Sequence, residues 1–198
     1  MSETPERPHR TGFFWLDLLI GVSAVVISVV SLFVAQRADR TQERLLAANT
    51  WPYVEFSTSN FLDNRRLVAL TLRNSGVGPA RIRWMTIEHN GKALASNHSL
   101  LRECCDFQSP YALSKTLLSS TVTHTVLVPH ESVNFLEVTP NAQDKVAFET
   151  LNRERENLHV RVCYCSVLNE CWLLDNKTND DPRDVANCNP PKAILFNG

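Results

Sequence analysis

The sequence predicts a mainly β protein with one N-terminal transmembrane helix. A long apolar run near the N-terminus, short β-rich segments after it, and turn-forming residues between those segments lead to this prediction. The chain has 198 residues and a formal net charge of -1 at pH 7. A nearly neutral chain lacks the basic footprint of proteins that bind DNA or RNA, so we expect no nucleic-acid partner.

Residues 13–35 form the apolar run, and Asp17 is its only charged residue. About 20 apolar residues at a helical rise of 1.5 Å cross a hydrocarbon core of roughly 30 Å. A cleavable signal peptide would need a small residue where Phe33 stands, two positions before Ala35. We therefore expect residues 13–35 to remain in the lipid bilayer as a single transmembrane helix, preceded by an N-terminal tail, residues 1–12.

The flanking charges only weakly predict the orientation of this helix. Arg7 and Arg10 precede it, whereas Arg37, Arg40 and Arg44 follow it. This count slightly favours a cytoplasmic C-terminus under the positive-inside rule. All six cysteines lie in the C-terminal part, and an even number of cysteines favours an oxidising compartment. We give the cysteines more weight and expect the C-terminal domain to lie outside the cytoplasm.

One face of the predicted helix carries small residues at alternating steps of four and three. Small side chains let two helix backbones approach closely in lipid, so this face indicates a homo-oligomer or docking onto a partner's membrane helix. The alternative is that such residues are simply common in transmembrane helices. The packing residues proposed on this basis are Gly21, Ala24, Ser28, Ser31 and Ala35.

After the membrane helix, residues 36–50 contain no glycine or proline and are rich in helix formers. They predict a helical stalk that ends at Trp51, because Pro52 disfavours a helical conformation at the preceding residue. The periodicity then becomes strand-like, and residues 51–198 form the predicted C-terminal domain. Its predicted strands are 53–56, 67–72, 82–87, 121–128, 132–138, 158–166 and 171–174, with a helix at 145–157 and a second, short helix at 109–118.

Turn signals separate these strands. Asn90-Gly91 is typical of a two-residue hairpin, and a second turn follows the strand 67–72. About seven short strands joined mainly by turns predict an antiparallel immunoglobulin-like β-sandwich. A small β-barrel is the alternative.

The second turn has the sequence Asn74-Ser-Gly76-Val-Gly78-Pro79-Ala80, and the domain begins with Trp51-Pro52-Tyr53. With the membrane helix and stalk, this N-x-G-x-G-P-A pattern resembles uncharacterised bacterial single-pass membrane-anchored proteins, over residues 13–92. The resemblance implies a bacterial membrane-anchored architecture and no activity. With the cysteines, it leads us to expect a bacterial inner-membrane protein whose domain lies in the periplasm. We expect positive φ angles at Gly76 and Gly78, and a stiff exit into the next strand at Pro79.

The cysteines predict disulfides that tie a loop and the C-terminal tail to the sheet. Side chains two residues apart on a strand share a face but lie about 6.6 Å apart, so Cys163 and Cys165 should bond to other cysteines. The pairing itself stays open. The alternative is a thiolate metal or redox site at Cys163, Cys165 and Cys171, although no C-x-x-C motif is present. The disulfide candidates are Cys104, Cys105, Cys163, Cys165, Cys171 and Cys188.

The sequence contains no H-E-x-x-H, G-x-S-x-G, P-loop or dinucleotide-binding motif. It therefore predicts no catalytic residue and no cofactor, and a protein that is more an interaction module than an enzyme. We expect a membrane-anchored module that binds a protein partner or forms a homo-oligomer. The alternative function is a thiolate metal-binding or redox protein that uses the cysteines.

Overall fold

The computed structural model describes residues 14–107, 117–178 and 180–197. The predicted tail 1–12 and residues 109–116 of the predicted short helix lie outside these ranges, and Leu117 and Leu118 belong to a strand. The chain divides into two compact units between Leu46 and Ala47. The predicted domain start at residue 51 lies slightly further along the chain.

The first unit is formed by the helix α1, Phe14–Asn49. It continues through the predicted span and stalk without a break, and its side chains from Trp15 to Leu46 are exposed. The helix ends shortly before Trp51-Pro52, where the proline disfavours another helical turn. By length and composition, α1 meets the requirements of a membrane anchor and also those of a signal sequence.

The second unit contains two antiparallel sheets. The first sheet has the order β1-β2-β7-β5 and the second the order β10-β9-β8-β3-β4, with β6 also pairing with β3. The elements in chain order are β1 (Val54–Leu62), β2 (Arg65–Asn74), β3 (Ala80–His89), β4 (Lys92–Leu94), α2 (Asn97–Cys105), β5 (Leu117–Ser119), β6 (Val126–Leu127), β7 (Ser132–Val138), α3 (Lys145–Glu154), β8 (His159–Cys165), β9 (Cys171–Asp175) and β10 (Arg183–Val185).

Two tight hairpins fix the pairing of neighbouring strands. Asn90 and Gly91 join β3 to β4 with φ angles of 50° and 78°, which confirms the predicted hairpin. Asp63 and Asn64 join β1 to β2 with φ angles of 49° and 59°. Asparagine, aspartate and glycine tolerate this left-handed region, and paired positive φ angles match the twist of the flanking strands.

The two sheets share one hydrophobic core. Leu72 and Leu136 come from the first sheet, and Met85 and Val162 from the second. Phe196, near the C-terminus, is fully buried in the same core, and its ring lies 6.0 Å from the ring of Phe135. The core therefore joins both sheets to the C-terminal segment, residues 186–197.

Two helices lie in the connections between strands. The hydroxyl of Ser96 accepts a hydrogen bond from the Ser99 amide, and this capping box starts α2. In α3, Phe148 and Leu151 point into the core. The predicted helix 145–157 corresponds to α3.

The structure confirms a mainly β chain with a long apolar N-terminal helix. The predicted strand 121–128 is wrong, since only Val126–Leu127 pairs as a strand. His124 has a φ angle of 60°, which interrupts the extended backbone before β6. The short elements α2, β4, β5 and β10 are not among the sequence-based predictions.

Candidate functional site

Three connections meet at the end of the sheets where the chain arrives from α1. These are residues 75–79 between β2 and β3, residues 120–131 before β7, and residues 166–170 between β8 and β9. The register supports this placement, because Arg81 at the start of β3 lies opposite both Val126 and Cys165. We call this end, together with Trp51, the entry end.

The fully buried side chain of Asn74 holds the segments of the entry end together by hydrogen bonds. Its Oδ1 accepts hydrogen bonds from the amides of Tyr53, at 3.2 Å, and Gly76, at 3.1 Å. Its Nδ2 donates to the carbonyls of Gly78, at 2.8 Å, and Leu127, at 3.0 Å. One carboxamide therefore links the incoming chain, the turn after β2 and the strand β6. We call residues 74–79 the Asn74 turn.

The glycines of this turn serve a different purpose from the one expected. Among the described residues, Gly91 is the glycine with a positive φ angle, so the prediction for Gly76 and Gly78 is wrong. A Cβ on Gly76 would lie 2.6 Å from the carbonyl oxygen of Trp51, and one on Gly78 would lie 2.6 Å from the Cα of Thr50. Glycine is needed because the incoming backbone crosses directly over the turn. Pro79, at its exit, is half-buried.

The entry end also exposes apolar side chains from every connection. Isolated exposed apolar residues are ordinary, but several at one end of a domain are typical of a binding surface. Sequence reasoning did not find them, because the sequence does not indicate that these separate connections meet at one end of the domain. We call this set, Trp51, Val77, Val126, Val128, Val167 and Leu168, the apolar loop set; each is 41% to 56% exposed.

Tyr53 joins the start of β1 to a loop next to the second sheet. Its hydroxyl donates a hydrogen bond to Oδ1 of Asp181 at 2.6 Å, and its ring centroid lies 5.4 Å from that of Trp51. Donation to the Asp181 carboxylate, assisted by partial burial, raises the pKa of Tyr53 to about 12. The phenol therefore keeps its proton well above neutral pH and continues to act as a donor.

Four cysteines lie together on the outer face of the second sheet. Their side chains are separate from the core that the two sheets share. Cys163 and Cys188 are paired at disulfide-bonding distance, with their Cα atoms 5.6 Å apart. Cys165 and Cys171 form a second such pair and stand directly opposite each other on β8 and β9. Cys163 and Cys165 therefore meet different partners and not each other.

The two pairs are also close to one another. The Sγ atoms of Cys165 and Cys188 are 3.6 Å apart. The Sγ atoms of Cys165, Cys171 and Cys188 all lie within 4.8 Å of one another. We call these three residues and Cys163 the cysteine cluster. The alternative metal site predicted from sequence included Cys163, Cys165 and Cys171 but missed Cys188, because no spacing motif links that distant cysteine to the others.

Cys104 and Cys105 are remote from this cluster in the fold. They end α2, and their sulfur atoms pair with each other. The expectation that the Cys104 loop is tied to the sheet by a disulfide is therefore wrong. Cys105 is buried in the shared core and Cys104 packs against it.

The residues proposed for membrane packing lie on α1, and their spacing places them on one face of that helix. Their side chains are exposed. The hydroxyl of Ser28 donates to the carbonyl of Ala24 at 2.8 Å, so it is satisfied within the helix. The set is Gly21, Ala24, Ser28, Ser31 and Ala35.

No curated protein and no solved structure matches the chain. One family model matches residues 16–179, from α1 to the residues just after β9. The match includes the Asn74 turn and three residues of the cysteine cluster, and it ends before Cys188. The chain thus belongs to the family described as "Domain of unknown function (DUF8453)".

Proposed function

We propose that this protein is a single-pass membrane-anchored binding module. In this proposal α1 is retained as the anchor, and an immunoglobulin-like β-sandwich presents its entry end to a protein partner. The apolar loop set carries the proposal, because it places exposed apolar side chains from three separate connections, and Trp51, at one end of the domain.

The strand orders support the immunoglobulin-like assignment. The order β1-β2-β7-β5 corresponds to strands A, B, E and D, and the order β9-β8-β3 corresponds to G, F and C. Under this correspondence Val77 lies in the B–C loop, while Val167 and Leu168 lie in the F–G loop. These two loops share the end that antibody variable domains use for binding.

The proposed location is a bacterial inner membrane, with the domain on the periplasmic side. The chain's own cysteines support an oxidising compartment, because the four cysteines of the cysteine cluster stand in two pairs at disulfide-bonding distance. The exposed, apolar surface of α1 as far as Ala35 supports its role as an anchor in lipid.

The proposed partner is a protein with an apolar surface, held at the same membrane. The anchor connects to the domain at Thr50 and Trp51, and Trp51 is itself part of the apolar loop set. A tether raises the effective concentration of any partner confined to the same bilayer, so a modest apolar surface suffices for binding. The second candidate partner is another copy of this chain, for which the small-residue face of α1 is the supporting feature.

Site-specific photocrosslinking in intact cells tests this proposal. A photoreactive amino acid is placed at Val77 or Leu168 of the full chain, and at Val146 on α3 as a matched control. Val146 is 82% exposed but lies outside the entry end, so it reports chance encounters. We expect a discrete crosslinked product from Val77 and Leu168 and none above background from Val146. Equal yields at all three positions would contradict the proposal.

Mass spectrometry of the crosslinked product then identifies the occupant. If the product contains only this chain, the partner is a second copy. Replacing both Ala24 and Ser28 by leucine should then lower its yield several-fold, because bulkier side chains prevent close helix approach. An unchanged yield would remove α1 from the oligomer interface.

Thiol labelling of intact cells tests the location separately. We expect an impermeant thiol reagent to label the chain only after treatment with an impermeant reductant. Labelling that requires permeabilised cells, with no need for reductant, would place the domain in the cytoplasm instead.

A further inference from the structure

We propose that the cysteine cluster, when reduced, is a binding site for one Zn²⁺ ion held by four thiolates. The ligands are Cys163, Cys165, Cys171 and Cys188. The inference concerns the outer face of the second sheet and rests on different atoms from the proposed loop contacts, although Val167 and Leu168 lie in the connection between Cys165 and Cys171. It treats the paired and the metal-bound cluster as two exclusive states of the same four sulfur atoms.

The sulfur positions suit a tetrahedral ion. Zinc–sulfur bonds of about 2.3 Å place the sulfur atoms of a tetrahedral site about 3.8 Å apart. The Sγ atoms of Cys165 and Cys188 already stand 3.6 Å apart, and those of Cys165, Cys171 and Cys188 lie within 4.8 Å of one another. Three of the four sulfur atoms are thus already grouped, and opening the two pairs lets Cys163, the partner of Cys188, turn toward them as the fourth ligand.

Strand pairing and a hydrogen bond to the backbone position these four cysteines even when their disulfides are open. Cys165 and Cys171 are register partners on β8 and β9, and Cys163 shares their face two residues earlier on β8. Cys188 is delivered by the C-terminal segment, where its carbonyl accepts a hydrogen bond from Nε1 of Trp84 at 3.1 Å. Since the shared core excludes the cluster, reduction leaves that core intact.

Charged and polar groups around the cluster favour both the arrival of a cation and the negatively charged complex that it then forms with the thiolates. A surface groove reaches Cys171 and is lined also by Glu170 and Asp184, whose carboxylates attract a cation from solvent. Arg81 lies opposite Cys165 in the sheet. Its Nε is buried and has no hydrogen-bond partner among the described residues. A four-thiolate zinc complex carries two negative charges, and such complexes are stabilised by nearby N–H donors.

The chemistry balances with a dithiol reductant. Two dithiol molecules transfer four electrons and four protons to the two cysteine disulfides, which open to four thiols while each dithiol closes to its own disulfide. The four thiols then release four protons to solvent as four sulfur–zinc bonds form. Because the same lone pairs form the metal bonds, zinc must leave before the disulfides can form again.

Metal titration of the full chain tests this inference. The chain, purified in detergent micelles, is reduced with a phosphine under argon and titrated with Co²⁺, the spectroscopic substitute for Zn²⁺. We expect saturation at one Co²⁺ per chain, with the strong visible absorption of tetrahedral cobalt thiolate, and loss of that absorption when Zn²⁺ is added. The affinity for Co²⁺ should fall at least tenfold in Cys188→Ser. A site made only of Cys163, Cys165 and Cys171 would instead bind Co²⁺ equally well in this variant.

A double variant, Cys104→Ser with Cys105→Ser, is the matched control and should bind Co²⁺ like the natural chain. The inference is overturned if the reduced chain binds no stoichiometric Co²⁺, if Cys188→Ser binds it equally well, or if binding depends on Cys104 and Cys105. Failure of this titration leaves the proposed loop contacts unaffected, because those are measured on cells in which the cluster is oxidised.

Discussion

The Asn74 turn and the cysteine cluster fasten the first and the last segment of the same domain by different chemistry. The turn holds the incoming chain at Tyr53 through one buried carboxamide and two glycines. The cluster holds the C-terminal segment at Cys188 through sulfur. Hydrogen bonds and close packing do not respond to redox conditions, whereas cysteine pairs do. The attachment at Tyr53 is therefore the same in any compartment, whereas the attachment at Cys188 depends on the redox conditions of the compartment.

The two fastenings also differ in their relation to the core. The Asn74 side chain is completely buried, and the sheet residues around it continue into the shared core. The cysteine cluster lies on the outer face of the second sheet. We therefore expect damage to the turn to unfold the domain, and damage to the cluster to loosen mainly the chain around Cys188, since Phe196 still anchors the end of the C-terminal segment in the core.

The largest expected effect is that of Asn74→Ala. This substitution removes four buried hydrogen bonds, two from the amides of Tyr53 and Gly76 and two to the carbonyls of Gly78 and Leu127. A buried unsatisfied group costs about 1 to 3 kcal/mol, so we expect the free energy of unfolding to fall by about 4 kcal/mol. Urea unfolding of the full chain in micelles, followed by tryptophan fluorescence, measures this loss.

Asn60→Ala is the matched control, because Asn60 is exposed on β1. It should change stability by less than about 0.5 kcal/mol. The turn would lose its assigned role if the two variants proved equally stable, and reductant should leave the difference between them unchanged.

A smaller effect is expected from removing one disulfide of the cluster at a time. The pair Cys163 and Cys188 spans 25 residues, and Cys165 and Cys171 span 6. In the chain-entropy account the longer loop contributes about 3 kcal/mol and the shorter about 2 kcal/mol. The double variant Cys163→Ser with Cys188→Ser should therefore be less stable than Cys165→Ser with Cys171→Ser, by about 1 kcal/mol.

Reductant supplies the control for this ranking. After full reduction in the presence of a chelator, the two double variants and the natural chain should unfold at similar urea concentrations. A ranking that survived reduction would show that packing of the cysteine side chains, and not the covalent bonds, produces the difference.

The smallest effect is expected from Tyr53→Phe, which removes the hydrogen bond to Asp181 beside the Asn74 turn. We expect a loss of about 1 kcal/mol at neutral pH. The folded pKa of Tyr53, about 12, lies above its ordinary value of 10.0. The contribution of this bond is therefore complete below pH 10 and disappears between pH 10 and pH 12.

Unfolding measurements on both chains across this range provide the test. The natural chain should lose its advantage over Tyr53→Phe as the pH rises from 10 to 12. A constant difference through that range would mean that Tyr53 stabilises the domain through its ring and not through its hydroxyl.

The elements that could be predicted from the sequence are those with strong local signals. The membrane-length helix, the strand 132–138 and the Asn90-Gly91 hairpin all follow from composition, alternation or turn chemistry. The strand 121–128 could not be recognised as mostly irregular, because the left-handed conformation of His124 has no clear sequence signature. Local propensity therefore identified most elements but not the irregular loop before β7.

The candidate sites were less predictable because they depend on long-range contacts. Gly78 is needed because Thr50 passes over it, and the sequence does not indicate that crossing. Cys188 joins the cysteine cluster through the path of the C-terminal segment and not through a spacing motif. The cysteine pairing and the reason for the glycines both required the three-dimensional arrangement.

The burial of Phe196 has a consequence for biosynthesis. This residue fills the core beside Phe135 and donates its backbone N–H to the carbonyl of Met85, in the middle of β3. During translation, every strand from β1 to β10 is made before residue 196 emerges. The core of the nascent domain therefore stays incomplete, and its apolar interior is accessible to chaperones, until Phe196 has been synthesised.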